Sequence, residues 1–424
     1  MRERMKGFPR LTSIDDARDM LRKRITHRIM EVEEVELTAA AGRVCGEDIT
    51  SPMDSPPHDR SAVDGYAVVA EDTFGASPTN PVELKLVGRI ELGADPSFLP
   101  EIRRGEAVEV PTGGPIPPGA NAVVPLEHAR RAGDRVEVYE HVRPLQNISG
   151  RGEDYRRGDV VLRRGLLIKP WHIAALASLG FRSLRVLRRP RVAILSTGSE
   201  LIEPGEEPAP GKVYNCTKPM LKVMLTSHGA EPIDLGAVPD DVKLISERIS
   251  DGLRRADSVI VTGGTSVGER DLVPEAISRV GEIVAHGLAI RPGKPTGFAI
   301  SSGKPIFMLS GFPVAALIGF QELVIPALEL MLGCRFDPPP RIRGRLTRRI
   351  ASPPGIRTYA RVRVFKSGDG EISIEPLRVT GSGILSTLTR GNGLLVIPEE
   401  LEGFDEGSEV EVILLSPILE GDEM

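Results

Sequence analysis

The chain has 424 residues, of which 40 % are hydrophobic and 27 % charged, a composition typical of a globular protein with several buried cores. Its net charge of −5 at pH 7 and its 4 % aromatic content argue against a general nucleic-acid binder. Its three cysteines are far apart in sequence, so we expect neither a disulfide scaffold nor a cysteine zinc site. Because no secretory signal core and no apolar run of about 18 residues stands out, we expect a cytoplasmic protein without a membrane span.

The N-terminal half combines helical and β-like patterns. Apolar side chains recur at helical spacing over residues 13–30, with Ser13 as a cap, which predicts an amphipathic packing helix. Residues 51–147 are short β-like runs broken by Pro and Gly, which predicts an inserted β-rich domain II. A mixed pattern returns over residues 148–188, so we assign residues 1–50 and 148–188 to a discontinuous mixed domain I.

The C-terminal half has two different secondary-structure patterns. Strands alternate with helices over residues 190–335, which predicts a doubly wound parallel sheet in an α/β domain III at 189–336. After the linker-like DPPPR, short strands separated by turns predict a small C-terminal β-barrel or sandwich, domain IV, at 337–424. The expected fold class is multidomain α/β plus β, with the mixed and β-rich domains at the N-terminus.

Ligands of doubly wound sheets bind beyond the carboxyl ends of the strands, and three such ends have unusual loops. The first loop brings small residues and one carboxylate together, in the order Ser196, Thr197, Gly198, Ser199, Glu200. Small residues let backbone amides approach an anion, although a plain turn with a solvated glutamate also explains the pattern.

The second loop is glycine-rich and follows the strand that ends at Thr262. Glycines expose consecutive N–H groups, which is typical of a phosphate cradle, and the residues concerned are Gly263, Gly264, Ser266 and Gly268. The spacing matches neither a Walker A loop nor a dinucleotide fingerprint. Asp271 ends the loop, either as a helix cap or as a carboxylate directed at a metal or ligand.

The third loop is basic. Arg291 and Lys294 stand between prolines and a glycine, which favours a rigid clamp for phosphates, although an ordinary exposed basic loop has the same composition. Pro313 follows one strand later. We expect four carboxylates to converge opposite these cations, namely Glu200, Asp240, Asp241 and Asp271. Because clustered carboxylates repel each other, a Mg²⁺ bridging phosphate oxygens is the simplest arrangement.

Several segments together resemble the MoeA and gephyrin E-domain family, the molybdopterin molybdenumtransferases. The segments are PPHDRSAVDGYAV, PTGGPIPPGANAVVP, GRGEDYRRGDVV, LSTGSEL, TGGTSVGERD and RPGKP. They follow the family's order over roughly residues 12–420. By composition alone, the first and third of them indicate only turns.

The resemblance implies an elongated homodimer with four domains per chain and an active site that the partner's β-rich domain helps to close. It also implies a reaction in which adenylated molybdopterin takes up molybdate, or tungstate, while Mg²⁺-dependent cleavage of the pyrophosphate releases AMP. Domain III would then be a molybdopterin-binding domain. Mg²⁺ is the implied cofactor, and no nucleic acid or membrane partner is expected.

The resemblance also assigns site residues, position by position. From the N-terminal half it implies Asp64, Thr112 and Asp154, and from the sheet edge it implies Glu200, Asp240, Asp271, Arg291, Lys294 and Pro313. Glu200 and Asp271 would hold Mg²⁺ or its waters. Asp64 and Asp154 would position the metal oxyanion or water.

Four positions depart from the family's pattern: Ser199, Ser310, Phe312 and Gly287. Phe312 stands where the family commonly has an asparagine, and Gly287 where a lysine is frequent. These departures keep a second hypothesis open, a non-catalytic molybdopterin-binding or scaffold protein. A third is an unrelated nucleotide or sugar-phosphate enzyme with the same glycine-rich edge.

Overall fold

The computed structural model describes residues 10–263, 272–368, 370–378 and 381–420. The chain divides into two compact units. Unit 1 comprises residues 1–33, 42–44 and 186–424, and unit 2 comprises residues 34–41 and 45–185.

Unit 2 contains a six-stranded β-sheet in the order β4-β1-β3-β2-β6-β5. Its strands are β1 (Gly65–Val68), β2 (Val82–Arg89), β3 (Glu106–Val110), β4 (Ala122–Pro125), β5 (Ala129–Ala132) and β6 (Arg135–Val138). Side chains of β1 alternate between two cores, because Tyr66 and Val68 pack on one face and Ala67 on the other. Gly65 begins strand β1, and a Cβ there would lie 2.1 Å from the carbonyl oxygen of Val124 in the neighbouring strand β4. The glycine is therefore required by close strand packing.

Shorter elements complete unit 2. They are helix α2 (Pro170–Ser178) and the antiparallel pairs Arg60–Ser61 with Ile148–Ser149 and Ile49–Thr50 with Val160–Leu162. Helix α2 ends before Gly180, whose φ of +83° is the left-handed conformation that favours glycine after a helix. Strands Val32–Glu36 and Ser183–Leu187 lie where the chain passes from one unit to the other.

The α/β part of unit 1 contains a six-stranded sheet in the order β8-β7-β9-β12-β11-β10. Its strands are β7 (Arg191–Thr197), β8 (Glu231–Val238), β9 (Ser258–Thr262), β10 (Glu282–His286), β11 (Gly297–Ser301) and β12 (Lys304–Leu309). The helices around it are α3 (Thr217–Ser227), α4 (Val242–Arg255), α5 (Leu272–Ser278), α6 (Pro313–Gly319) and α7 (Ile325–Leu332). Every residue of β9 is buried, so the centre of the sheet is covered on both faces.

The sheet is mixed rather than wholly parallel. Strands β8, β7, β9 and β12 are parallel, as predicted, but β11 is antiparallel to both β12 and β10. The physical reason is the two-residue turn between β11 and β12, where Ser302 and Gly303 have φ values of +49° and +80°. Positive φ at both central residues is the geometry of a tight β-hairpin, which reverses the chain locally.

Helix α1 (Ile14–Arg24) is shorter than the predicted 13–30 helix. Ser13 caps it, because the Asp16 N–H donates to the Ser13 hydroxyl at 3.1 Å. The chain then continues extended, and the Ile29 N–H donates to the carbonyl of Met331 at 2.8 Å. The apolar side chains after the helix are still buried, but the extended chain buries them instead of a helical face.

A π-helical segment, Phe320–Val324, separates α6 from α7. Pro326 lacks an N–H and so cannot donate to the carbonyl of Glu322, to which the Arg18 Nε donates at 3.4 Å. Arg18 also pairs with the Glu322 carboxylate at 2.6 Å. The stretch Pro313–Leu332 is long and apolar enough to cross a membrane by composition, with a mean hydropathy of 1.7, but it is 67 % buried as a core helix.

The C-terminal strands close into a five-stranded barrel, which confirms the predicted small barrel. They are β13 (Arg341–Leu346), β14 (Arg357–Lys366), β15 (Ile372–Arg378), β16 (Gly393–Ile397) and β17 (Glu409–Leu414), and β14 pairs with both β15 and β16. A short helix, α8 (Ser386–Thr389), joins β15 to β16. The short strand Ile290–Arg291 pairs with the start of β14 and so connects the α/β part to the barrel.

A buried carboxylate, Asp257, ties the start of the sheet to the N-terminal segment of unit 1. It accepts two hydrogen bonds from Arg188 at 2.7 and 2.8 Å, one from the Arg191 N–H at 2.7 Å, and contacts His27 Nε2 at 2.8 Å. Burial alone would raise the pKa of Asp257, but the bonds from Arg188, Arg191 and His27 outweigh it and lower the pKa to about 2. The carboxylate is therefore charged and fully partnered.

We predict that Asp257→Asn lowers the free energy of unfolding by about 3 kcal/mol, because it breaks a buried ion pair. A depressed pKa contributes stability that is present above the unfolded-state value and is lost as the pH falls through the folded-state value of about 2. The difference between variant and wild type should thus be constant near neutrality and shrink between about pH 4 and pH 2. Denaturant titrations over this range measure it.

The matched control is Asp251→Asn, because Asp251 pairs with Arg254 and Arg255 on the helix surface. It should change the unfolding midpoint little. Equal midpoints for the two variants would contradict the assigned role of Asp257.

Candidate active site

Two strand ends are joined by a buried hydrogen-bond network in unit 1. The Thr262 hydroxyl donates to the Ser196 hydroxyl oxygen at 3.2 Å, and Asn215 Nδ2 donates to the same oxygen at 3.0 Å. These three side chains are at most 3 % exposed. Ser196 therefore holds neighbouring strands together and is not open to a ligand in this conformation. Thr197, the next predicted site residue, is buried as well and donates to the Thr262 carbonyl at 3.4 Å.

The first predicted loop turns sharply after β7. The Gly198 N–H donates to the Val238 carbonyl at 3.1 Å, and a Cβ at Gly198 would lie 2.6 Å from the Glu200 Oε2. The Glu200 carboxylate therefore lies over the Gly198 backbone. This exposed carboxylate has no hydrogen-bond or ion-pair partner among the described residues.

Two acidic residues follow the neighbouring strand β8. Asp240 lies in the exposed turn, and β8 is the parallel neighbour of β7, so Asp240 and Glu200 follow adjacent strand ends. Asp241 has a different role, because its carboxylate caps α4 by accepting from the Leu244 N–H at 2.8 Å. The expected cluster of four carboxylates is thus reduced by one member, because helix capping engages Asp241.

The second predicted loop begins at Gly263, which has a φ of +89°. A Cβ at this position would lie 2.3 Å from the Thr197 carbonyl oxygen, so only glycine fits between β7 and β9. Gly264, Ser266, Gly268 and Asp271 lie outside the described residues.

The loop after β12 packs beside this turn. A Cβ at Gly311 would lie 3.4 Å from the Gly263 Cα, and the Thr217 hydroxyl donates to the Gly311 carbonyl at 2.5 Å. Pro313 is buried as the first residue of α6. The residues Asn215 and Thr217 were not predicted, although a polar Asn-x-Thr at the start of a helix is the signal that marks them.

The basic loop packs against the same helix. A Cβ at Gly293 would lie 3.5 Å from the Ala315 carbonyl oxygen of α6. Arg291 lies in the short strand that pairs with the barrel, and Lys294 is exposed. Neither cation has an ion-pair partner in the described parts of the chain. Gly287 has a φ of +88°, a conformation that disfavours the lysine that the resemblance implies there.

Unit 2 brings together the predicted residues of the N-terminal half. Asp64 Oδ1 accepts from the Thr112 N–H at 2.7 Å and from the Thr112 hydroxyl at 3.1 Å. The Ser61 N–H donates to the Gly114 carbonyl at 2.8 Å, so the DGYA and PTGGP segments lie side by side. Asp64 is thereby oriented by the backbone of the neighbouring segment.

The GRGEDY segment lies against the same region of unit 2. Arg151 pairs with Asp54 at 2.6 Å, and its N–H donates to Asp59 at 2.8 Å. The Asp154 N–H donates to the Ser55 carbonyl at 3.0 Å, while its carboxylate is exposed. The backbone N–H of Arg157 and the side chain of Arg151 lower the pKa of Asp54. Sequence reasoning missed Asp54, Asp59 and Arg151, which hold the Asp154 loop in place.

The described residues contain no group of three or more His, Cys, Asp or Glu side chains arranged around a metal. Two carboxylates at the sheet edge, those of Glu200 and Asp240, have no hydrogen-bond or ion-pair partner among the described residues. Mg²⁺ commonly binds proteins through one or two carboxylates together with phosphates and waters. One or two such carboxylates beside glycine-containing and basic loops therefore fit Mg²⁺ but not an all-protein cage.

Three family models match consecutive parts of the chain. They are described as the MoeA N-terminal region (domain I and II) over residues 12–180, a probable molybdopterin binding domain over 193–330, and the MoeA C-terminal region (domain IV) over 343–415. A putative molybdopterin biosynthesis protein of Methanocaldococcus jannaschii is 39 % identical over 97 % of this chain and 100 % of that protein. The chain belongs to the MoeA family.

Other members of the MoeA family agree in sequence and in structure. The molybdopterin molybdenumtransferase 2 of Mycobacterium tuberculosis is 36 % identical over 89 % of this chain and 94 % of that protein. The MoeA protein of Pyrococcus horikoshii OT3 is 36 % identical in sequence. Its crystal structure superposes on 96 % of this chain and 100 % of that protein's chain, with a TM-score of 0.82. Together they confirm the family, the fold class and the expectation of an enzyme of molybdenum cofactor biosynthesis.

We predict that Asn215→Ala lowers both stability and activity. Removing the amide leaves the buried Ser196 hydroxyl with one donor fewer, so the free energy of unfolding should fall by about 2 kcal/mol. Activity at a temperature where the variant is fully folded should fall as well, because the segment that leads into α3 loses its hydrogen bond to the end of β7.

The matched control is Asn392→Ala. Asn392 is also buried and bonds Val364 N–H and C=O at 2.6 and 2.8 Å, but in the barrel. It should lose similar stability while activity per folded molecule is retained. Equal loss of activity in the two variants would contradict a specific role of Asn215 at the strand ends.

Proposed function

We propose that this chain is a molybdopterin molybdenumtransferase that inserts molybdate, or tungstate, into adenylated molybdopterin and releases AMP. The observation that carries the proposal is the charge arrangement at the strand ends. An unpartnered carboxylate, Glu200, and two cations without ion pairs among the described residues, Arg291 and Lys294, belong to loops around the carboxyl edge of the same sheet.

The two cations suit an anionic substrate. Adenylated molybdopterin carries a pyrophosphate, and molybdate is an oxyanion, so both need positive groups and backbone donors. The turn at Gly263 supplies close backbone approach, because a side chain there would collide with the Thr197 carbonyl oxygen, and Gly198 has a φ of +141°, which favours glycine. Charge that develops as the pyrophosphate is cleaved would be stabilised by these fixed groups.

Mg²⁺ is the proposed cofactor. Glu200, with Asp271 as the second proposed ligand, would hold the ion or its waters, and Asp240 would add negative charge nearby. When bound, Mg²⁺ neutralises phosphate oxygens and so favours cleavage of the pyrophosphate. The residues of this chain bind and orient the phosphates around it.

In unit 2, Asp64 and Asp154 are proposed to position the metal oxyanion or a water. The Thr112 N–H and hydroxyl orient Asp64, whereas the exposed carboxylate of Asp154 is presented by a loop that Asp54 and Asp59 hold. We also propose that the enzyme is a homodimer in the cytoplasm. The free state of Cys45, Cys216 and Cys334 is consistent with a reducing compartment.

A non-catalytic molybdopterin-binding protein is the second candidate, which Phe312 and Gly287 favour because they remove a polar group and a charge from the family's pattern. The deciding experiment mixes purified protein with adenylated molybdopterin, molybdate and Mg²⁺ and measures AMP release. The proposal expects AMP to appear with molybdate or tungstate and to disappear when EDTA removes the divalent ion. Binding without AMP release under both oxyanions would favour the second candidate.

We predict that Glu200→Gln reduces the rate of AMP release roughly 100-fold while leaving the melting temperature unchanged. The change keeps the shape of an exposed side chain and removes only its charge, so higher Mg²⁺ concentrations should recover part of the rate. Glu207→Gln is the control, since Glu207 is exposed in the same connection. Equal activity of the two variants would remove Glu200 from the site.

A further inference from the structure

An exposed aromatic ring stands at the edge of the candidate site. Phe312 is 59 % exposed, whereas Phe298, Phe307 and Phe320, in the neighbouring strands and helix, are fully buried. Phe312 comes directly after the Gly311 whose backbone approaches Gly263. Phe312 is therefore next in sequence to a residue that packs against the glycine turn proposed to bind phosphate.

Local stability does not explain a phenylalanine here. Phe312 occupies the N-cap of α6, where Ser, Thr, Asp and Asn are preferred, and its side chain makes no capping hydrogen bond. The Ser310 hydroxyl accepts from the Phe312 N–H at 3.1 Å, which fixes the backbone of the loop. The ring thus neither caps the helix nor enters the core, and residues that break local rules are expected at functional sites.

The barrel supports one side of the ring. A Cβ at Gly383 would lie 2.9 Å from Cδ1 and 3.2 Å from Cε1 of Phe312, so the ring rests against the Gly383 backbone. The Val314 N–H also donates to the Ser382 carbonyl at 3.1 Å. The supporting loop is therefore bonded to the same helix that begins after Phe312, and the ring is held in place while most of its surface is open.

We propose that the open face of Phe312 stacks on a flat heterocycle of the substrate while the neighbouring loops bind its phosphates. The inference rests on the proposed function, which supplies a ligand with two such heterocycles, a pterin and an adenine, joined through phosphates. Aromatic side chains stack on either ring system, because both have a π face. Phe312 is then a specificity residue that distinguishes heterocycle-bearing phosphates from inorganic ones.

The test measures the dissociation constants of AMP, a pterin monophosphate and inorganic pyrophosphate by calorimetry. Phe312→Leu keeps an apolar side chain but removes the π face, and Phe312→Tyr keeps the face. We expect the leucine variant to bind at least one of the two heterocyclic ligands on the order of tenfold more weakly and pyrophosphate unchanged. The tyrosine variant should bind like the wild type, and so should the control Phe98→Leu, which alters an 84 % exposed phenylalanine of unit 2.

The ligand that weakens identifies the stacked ring, AMP for adenine and the pterin monophosphate for pterin. Unchanged binding of both, equal weakening of pyrophosphate, or no binding of either heterocycle to the wild type would overturn the proposal. A wild type that binds these ligands through Phe312 but releases no AMP would refute the proposed reaction and leave the stacking role intact.

Discussion

The candidate site depends on one buried hydrogen-bond network, in which the Ser196 hydroxyl accepts from Asn215 and Thr262. Parallel strands end together at one edge of the sheet, but the loops that follow them form a site only if they are held in fixed positions relative to each other. The network holds them in place. Buried polar groups without hydrogen-bond partners would destabilise the fold, so the bonded arrangement is favoured. The Thr217 hydroxyl also fixes the loop after β12, because it donates to the Gly311 carbonyl.

Packing of backbone against backbone adds a second constraint. Gly263 fits against Thr197, and Gly65 fits against Val124, each at a distance that no Cβ allows. The glycines of the two motifs thus serve different purposes. Gly263 brings the loops after two parallel strands together, whereas Gly65 lets the antiparallel strands β1 and β4 approach closely.

The barrel contributes ion pairs, a strand pairing and backbone contacts to the α/β part of unit 1. Arg357 at the start of β14 pairs with Asp15 of α1 and Glu399, and Arg291 lies in the strand that joins β14. The backbone at Gly383, in a loop of the barrel, packs against the ring of Phe312. The edge of the proposed site therefore combines residues from the α/β sheet with backbone from the barrel.

Much of the fold followed from local patterns, and its exceptions have local causes. Alternating strands and helices predicted the α/β sheet, but the Ser302-Gly303 turn reverses β11, and this required a hairpin that the strand pattern did not reveal. Helical spacing continued past Arg24, where the chain is extended, because buried side chains at these positions satisfy either conformation. Asp241 read as a site carboxylate and is a helix cap, since the two roles use the same residue type.

The sequence by itself determined the family, the order of mixed, β-rich, α/β and β-barrel domains along the chain, and the loops at the strand ends. It could do so because periodicity and turn residues are local properties. Only the tertiary structure decided which polar groups are engaged and which are open. Ser196 and Thr197 were predicted as ligand residues and are buried. Glu200 has no partner among the described residues, and Phe312 is exposed against Gly383. Those distinctions arise from contacts between segments far apart in the chain, which no local pattern encodes.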